Sequence, residues 1–228
     1  MKCHLQLFLI FVAVFHIISV KGQTEVKDNE GHVYGTVVVG NDIWMRHNLQ
    51  TSQLNDGTAI PWIVDPEEWS KMKTPAYTWY DNIPTHANAY GAIYNWYAIE
   101  TGRLCPTGWH VPTEVDWKYL INAFPYDSIT RTYIGGQMKE ASVRYWDAPN
   151  TGATNLTGFT AMPGGMRDKA GAFFKFHQKA YFWSATPANS SSIYYYVLSH
   201  DTQSLQRFMT NKNCGFSVRC VKDDDRDK

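Results

Sequence analysis

Three cysteines, Cys105, Cys214 and Cys220, are the residues of this chain best suited to chemistry. A thiolate can attack an electrophile, ligate a soft metal ion or be oxidised to a disulfide. The fourth cysteine, Cys3, precedes an N-terminal apolar run and is removed if that run is cleaved. The odd number left behind is most simply one disulfide and one leftover thiol in an oxidising compartment. Other candidates are weaker. His32, His47, His86, His177 and His200 are dispersed, without metal-ligand spacing. His110 reads as a hydrogen-bonded histidine beside a packed Trp109. Ser184 follows Trp183, but no Gly-x-Ser-x-Gly surrounds it. Gly164-Gly165 lacks the rest of a phosphate loop. The acidic clusters Asp65-Pro-Glu-Glu-Trp69 and Asp223 to Asp225 read as solvated loops rather than calcium sites. These residues nominate no catalytic group, metal or cofactor.

The remaining chemistry is stacking. Aromatic residues make up 15% of the chain, and aromatic faces suit the CH surfaces of sugars. Trp62, Trp69 and Trp79 lie in one Pro-rich loop, and Tyr194-Tyr-Tyr196 in a strand. In that strand Tyr194 and Tyr196 share one face and Tyr195 takes the other. The plain reading is one face in the core and one at the surface. Trp62, Trp69, Trp79, Tyr194 and Tyr196 are the candidate ligand-binding residues.

The elements that must position them follow from pattern. The formal net charge is zero, which gives no case for nucleic acid or an anionic membrane as partner. Residues 1–22 have the form of a signal peptide: Lys2, the apolar run Leu5 to Val20, then small residues at Val20 and Gly22. Its removal leaves a secreted chain about two units negative that is not inserted in a membrane. Residues 23–32 are polar and read as a loose leader. Val33 to Val39, Gly40-Asn41 and Asp42 to Leu49 read as a β-hairpin. Residues 50–88 are mostly loop. Tyr90 to Ala98 is ambiguous between strand and helix.

The stretch Cys105-Pro-Thr-Gly-Trp-His-Val-Pro-Thr-Glu-Val-Asp-Trp117 predicts a short strand, a turn and a capped helix. Thr113 and Asp116 have capping-box spacing. Trp117, Leu120, Ile121 and Phe124 form one apolar stripe, and Pro125 ends the helix. Beyond Gly135-Gly136 the pattern is of short strands: Phe159 to Met162, Ala172 to Phe176, Ala180 to Ser184, Ile193 to Leu198, Leu205 to Met209 and Phe216 to Val221. Residues 223–228 are a charged tail. The whole predicts one α+β domain with short antiparallel strands, one well-defined amphipathic helix and long irregular loops.

Several dispersed motifs carry a resemblance. They are Ile43-Trp-Met45 with Asn48-Leu49, Tyr90-Gly91 with Tyr94-Asn-Trp96, Cys105-Pro106, Gly108-Trp-His110, Pro112-Thr113 and Trp117. Gly152-Ala-Thr-Asn155, Gly158-Phe159, Pro163-Gly-Gly165, Phe182-Trp-Ser184 and Gly215 to Cys220 continue the order. In register over residues 33–222 these resemble the Fibrobacter succinogenes major paralogous domain of secreted and surface bacterial proteins. That family is similar to the C-type-lectin-like superfamily, which includes the formylglycine-generating fold. The resemblance implies a looped C-type-lectin-like domain and extracellular display, and no established activity. It places Cys105 and Cys220 at the family's two cysteine positions, implying a disulfide. Cys214 departs from the pattern and could pair with Cys220 or stay free.

The resulting expectation is a secreted or cell-surface, non-enzymatic domain that binds glycan or a surface protein through its loops. One alternative is a formylglycine-generating-type copper oxidase using Cys214 and Cys220, whose spacing is one residue longer than that family's pair, or another enzyme. The other is a structural or adhesive surface component. The sequons Asn155-Leu-Thr157 and Asn189-Ser-Ser191 matter only in a eukaryotic secretory path.

Overall fold

The computed structural model describes residues 25–124 and 128–224, without the side chains of residues 128–132. The expected signal peptide, Pro125 and most of the charged tail lie outside the described residues. Three small antiparallel sheets carry the fold, which is mainly β with short helices. The hairpin expected near the N-terminus is β2 (Val33–Val39) and β3 (Asp42–Met45), joined at Gly40-Asn41 with Val39 opposite Asp42. Residues 25–32 are not a loose leader. Glu25–Lys27 forms β1 on the free edge of β2, and the carboxylate of Asp28 organises the turn between them.

The loop of residues 50–88 contains α1 (Pro66–Lys71) and β4 (Tyr77–Thr78). Asp65, expected in a solvated loop, is the N-cap of α1 and accepts from the Glu68 backbone at 2.7 Å. The ambiguous stretch that follows resolves into three pieces: α2 (Ala87–Tyr90), β5 (Ile93–Asn95) and α3 (Trp96–Glu100). Asn95 makes the last change possible, because its side chain caps α3 by accepting from the Ala98 backbone.

After β6 (Trp109–His110) comes α4 (Glu114–Asn122). Thr113 accepts from the Val115 and Asp116 backbones, and Asp116 accepts in return from the Thr113 backbone at 2.7 Å. Trp117 and Leu120 are buried, with Ile121 and Phe124 packed against the same core. Trp117 stacks on Tyr196 at 4.4 Å.

A further helix, α5 (Ser128–Met138), runs through Gly135-Gly136, where the sequence reads as a break. These glycines are required by close approach. A Cβ on Gly135 would lie 2.6 Å from the Ser204 backbone, and one on Gly136 2.4 Å from the Gly152 carbonyl.

The remaining strands are β7 (Met166–Arg167), β8 (Phe173–Phe174), β9 (Lys179–Pro187), β10 (Ser192–Ser199), β11 (Gln206–Asn211), β12 (Gly215–Phe216) and β13 (Val221–Lys222). The sheet orders are β1-β2-β3-β13-β6, β11-β10-β9 and β4-β5-β12-β7-β8. The last strand thus returns to the N-terminal hairpin, with Val221 opposite Trp44. Phe159 to Met162 is not a strand; Ala161 makes one bridge to Lys139.

The sheet of β9 and β10 divides the two main cores. Tyr181, Trp183, Ile193 and Val197 enter one, and Ala180, Phe182, Tyr196 and Leu198 the other. Alternation therefore buries both faces here, not one.

Three buried cations hold the loops around these cores. Lys139 donates to the carbonyls of Thr151, Ser199 and Thr202, and burial pulls its amine down to about 8. Arg167 donates to the carbonyls of Ile63, Val64 and Gly171. Arg219 donates to Asn48 and to the carbonyls of Met45, Phe159 and Thr160. Burial lowers Arg167 to about 10; burial, then the nearby Arg46, lowers Arg219 to about 9. Their partners are carbonyls and one amide; Ser199 ends β10 and Met45 ends β3, and the other carbonyls lie in loops, so each cation ties loop backbone to the body of the fold.

Candidate functional site

The chemistry nominated first is accounted for by structure. Cys105 and Cys220 are joined in a disulfide, with Cα atoms 6.0 Å apart. Cys214 is a free, buried thiol, and burial raises its pKa despite a hydrogen-bonding contact with the Thr210 hydroxyl. The thiol pair required by a copper site is therefore not assembled, because Cys220 is already taken. His110 lies between two carboxylates, with Nδ1 2.7 Å from Asp223 and Nε2 3.2 Å from Asp116.

Asp28, Glu30 and His32 are close enough to share a cation, their ligand atoms lying within 4.8 Å of one another. The sequence does not single out this group, because His32 stands alone among the histidines and residues 23–32 read as a leader. The alternate spacing Asp-x-Glu-x-His was its signal. Its oxygens are heavily engaged. Asp28 accepts from the Glu30 and His32 backbones and from the Tyr34 hydroxyl, and faces the His32 ring. Glu30 accepts from Thr51 and from the backbone and hydroxyl of Ser52. The group pins the β1–β2 turn to residues 51–52.

The five nominated aromatic residues are not brought together. Trp69 is fully buried, with Arg167 4.6 Å from its ring and its indole donating to the Asn213 carbonyl. Tyr196 is buried against Trp117. Neither has a face to offer. Trp79 is half-buried and edge-on to Tyr77 at 5.2 Å. Tyr194 is half-buried beneath the Arg207 guanidinium at 4.7 Å, which is held in turn by Glu114 at 2.7 Å. Only Trp62, at 42% exposure, presents a large open surface.

A different aromatic group does assemble in the loops. Tyr80 stacks on Phe176 at 4.3 Å and 13°, and Phe176 on His177 at 4.1 Å. His86 and Tyr90 approach Phe176 at 4.9 and 4.7 Å. Phe173 flanks Tyr80, and Tyr145 meets Tyr90 edge-on. Tyr80 and Tyr90 form the buried base, while His86, Tyr145, Phe173, Phe176 and His177 are partly exposed. Phe174 and Ile83 are exposed in the same two loops.

Tight backbone geometry positions these rings. Asp81 (φ 52°), Asn82 (59°), Lys175 (64°) and His177 (59°) all adopt left-handed conformations. Such geometry is unfavourable for side-chain-bearing residues and concentrates at functional sites. Gly165, at φ +66°, lies beneath: a Cβ there would approach the Tyr80 ring to 2.6 Å and the Phe174 carbonyl to 2.7 Å.

Hydrogen-bonding groups line the edges of these rings. The Tyr90 hydroxyl meets His177 Nε2 at 2.9 Å, and His86 Nδ1 lies 3.0 Å from the Tyr80 carbonyl. Burial raises both tyrosines, with Asp81 adding to the effect at Tyr80 and Tyr145 at Tyr90. Both therefore keep their protons at neutral pH. Apolar ring surfaces rimmed by hydrogen-bond donors and acceptors suit a polyhydroxylated ligand. The density of rings in Phe173-Phe174-Lys-Phe176-His177 was the available sequence signal.

Residues 37–222 match the sequence profile of the Fibrobacter succinogenes major domain. No curated protein and no solved structure matches the chain. Among the described residues no helix is long and apolar enough to cross a membrane.

Proposed function

Because the chain belongs to the Fibrobacter succinogenes major domain family, we propose that it is a non-enzymatic binding domain displayed outside the cell. Its ligand is a glycan, bound on the partly exposed rings of His86, Phe176 and His177, which the buried Tyr80 and Tyr90 support from below. The fold is read as a C-type-lectin-like variant that binds through aromatic loops rather than through calcium. The observation carrying this reading is the platform itself: partly exposed rings over a buried base of Tyr80 and Tyr90, set by left-handed backbone, with hydrogen-bonding edges. A secreted location agrees with the apolar leader of residues 1–22 and with a disulfide between Cys105 and Cys220.

The test is a glycan array followed by polysaccharide pull-down. The wild-type chain is expected to retain a surface polysaccharide. Phe176→Ala is expected to weaken retention about tenfold, since a stacking contact contributes roughly 1 kcal/mol or more. Absence of binding to every surface polymer, or binding indifferent to both Phe176→Ala and His177→Ala, would reject the platform.

A further inference from the structure

Of the three buried cations, Arg219 differs in what surrounds it. The negative charge of Asp201 acts on Lys139, and those of Asp65 and Asp168 on Arg167. The charge acting on Arg219 is that of a second cation, Arg46. Arg219 is 0% exposed, and its partners, Asn48 and the carbonyls of Met45, Phe159 and Thr160, are all uncharged. Met45 and Asn48 flank Arg46-His47, so these two residues bend around the Arg219 guanidinium. Arg46 is half-buried, and its buried Nε has no hydrogen-bond partner. Burial, then the charges of Arg219 and Arg46, lower the His47 imidazole. Beside the bend lies a pocket of about 190 Å³ lined by Tyr34, His47, Asn48, Gln50 and Asn88. Asp28, behind Tyr34, spends its oxygens on the Tyr34 hydroxyl, the His32 ring and backbone donors. Two guanidinium groups and an imidazole thus gather here, and among the described residues none of the three is paired with a carboxylate. A buried charge without a counter-charge and a buried donor without an acceptor are both unfavourable, and one anion satisfies both.

We propose that the Arg46-His47 bend is an oxyanion site, taking a carboxylate or sulfate group. Arg46 is the binding group, because its planar fork of donors matches either oxyanion. Arg219 has no donor left for a ligand and serves as a fixed positive charge behind the bend. His47 and the pocket beside it receive the rest of the molecule that carries the group. The site is separate from the ring platform: α2 lines the pocket with Asn88, whereas Tyr90 at its end belongs to the platform. It therefore stands whether or not the rings bind a glycan.

Titration calorimetry on the chain after leader removal, at constant ionic strength, tests this with sodium sulfate, galacturonate and uncharged galactose. The wild type is expected to bind sulfate, galacturonate or both, and not galactose. Sulfate alone would assign the site to sulfate groups, and galacturonate to the carboxylate of an acidic sugar. Arg46→Gln is expected to weaken binding about tenfold or more, the loss of a hydrogen bond to a charged group. Arg46→Lys, which keeps the charge and loses the fork, is expected to weaken it less. Lys118→Gln, exposed on α4, is expected to bind like the wild type. Thermal melting of each variant checks that it folds. A wild type that binds neither anion overturns the proposal. So does anion binding that both Arg46 variants leave unchanged, or that Lys118→Gln weakens as much as Arg46→Gln.

Discussion

At the entrance to α4 the Asp116 carboxylate accepts from the backbone and hydroxyl of Thr113 and faces the His110 ring. Burial pushes its pKa up, but the hydrogen bonds from His110 and Thr113 outweigh that and hold it below the ordinary value. A carboxyl depressed in the folded state adds stability that is present above its unfolded pKa of about 3.9 and is lost as pH falls through the folded value. Asp116→Asn is therefore expected to lower stability at pH 7 by about 1 kcal/mol or more. It is also expected to flatten the fall in melting temperature below pH ~4. Melting curves of wild type and variant that stay parallel through acid would contradict this. The capping box was legible in Thr113-Glu-Val-Asp116 because both partners lie within one helical turn. The engagement of His110 was not, since Asp223 is brought in by the final strand.

At the scale of elements, Gly165 decides whether the ring platform can exist. Its left-handed backbone and its contact with the Tyr80 ring exclude a side chain. Gly165→Ala is expected to destabilise the fold by roughly 1–2 kcal/mol from backbone strain alone. It is also expected to weaken glycan retention, because Tyr80 and the Phe174–Phe176 backbone must shift. Thermal melting and pull-down on the same preparation read both effects; a variant that melts and binds like wild type would show the close approach to be dispensable. From sequence, Pro163-Gly-Gly165 reads as a family motif and a turn, with no indication of the ring it supports. Gly135-Gly136 misled in the same way. A glycine's local meaning is a break, whereas here the two glycines let α5 pack against the backbone of residues 152 and 204.

For the whole molecule, the disulfide closes a loop of 115 residues between the segment before α4 and the segment before β13. A closure of that length contributes ~3–5 kcal/mol in the chain-entropy view. Reduction, or Cys105→Ser with Cys220→Ser, is expected to lower the melting temperature sharply, whereas Cys214→Ser is expected to leave it nearly unchanged. Thiol titration of the unfolded, unreduced chain after leader removal should find one free thiol. Three thiols, or a Cys214→Ser variant as unstable as the double mutant, would refute the assignment. The disulfide works with the three buried cations. Lys139, Arg167 and Arg219 draw loop carbonyls inward where sheet hydrogen bonds do not reach, so short strands suffice to hold long loops.

The sequence by itself determined what depends on neighbours a few residues apart: the β2–β3 hairpin from its turn and alternation, α4 from its cap and stripe, and the family from motifs in register. It named Trp62, Trp69, Trp79, Tyr194 and Tyr196 because ring content is readable, but exposure is not. Tertiary structure decided which rings remain open, because burial depends on what the rest of the chain lays over them. Arg167 covers Trp69, Trp117 covers Tyr196 and Arg207 covers Tyr194. The platform unites residues 80–90, 145, 165 and 173–177, which are distant in the chain and share no periodicity. Only packing of one loop against another, with left-handed backbone at Asp81, Asn82, Lys175 and His177, brings them together.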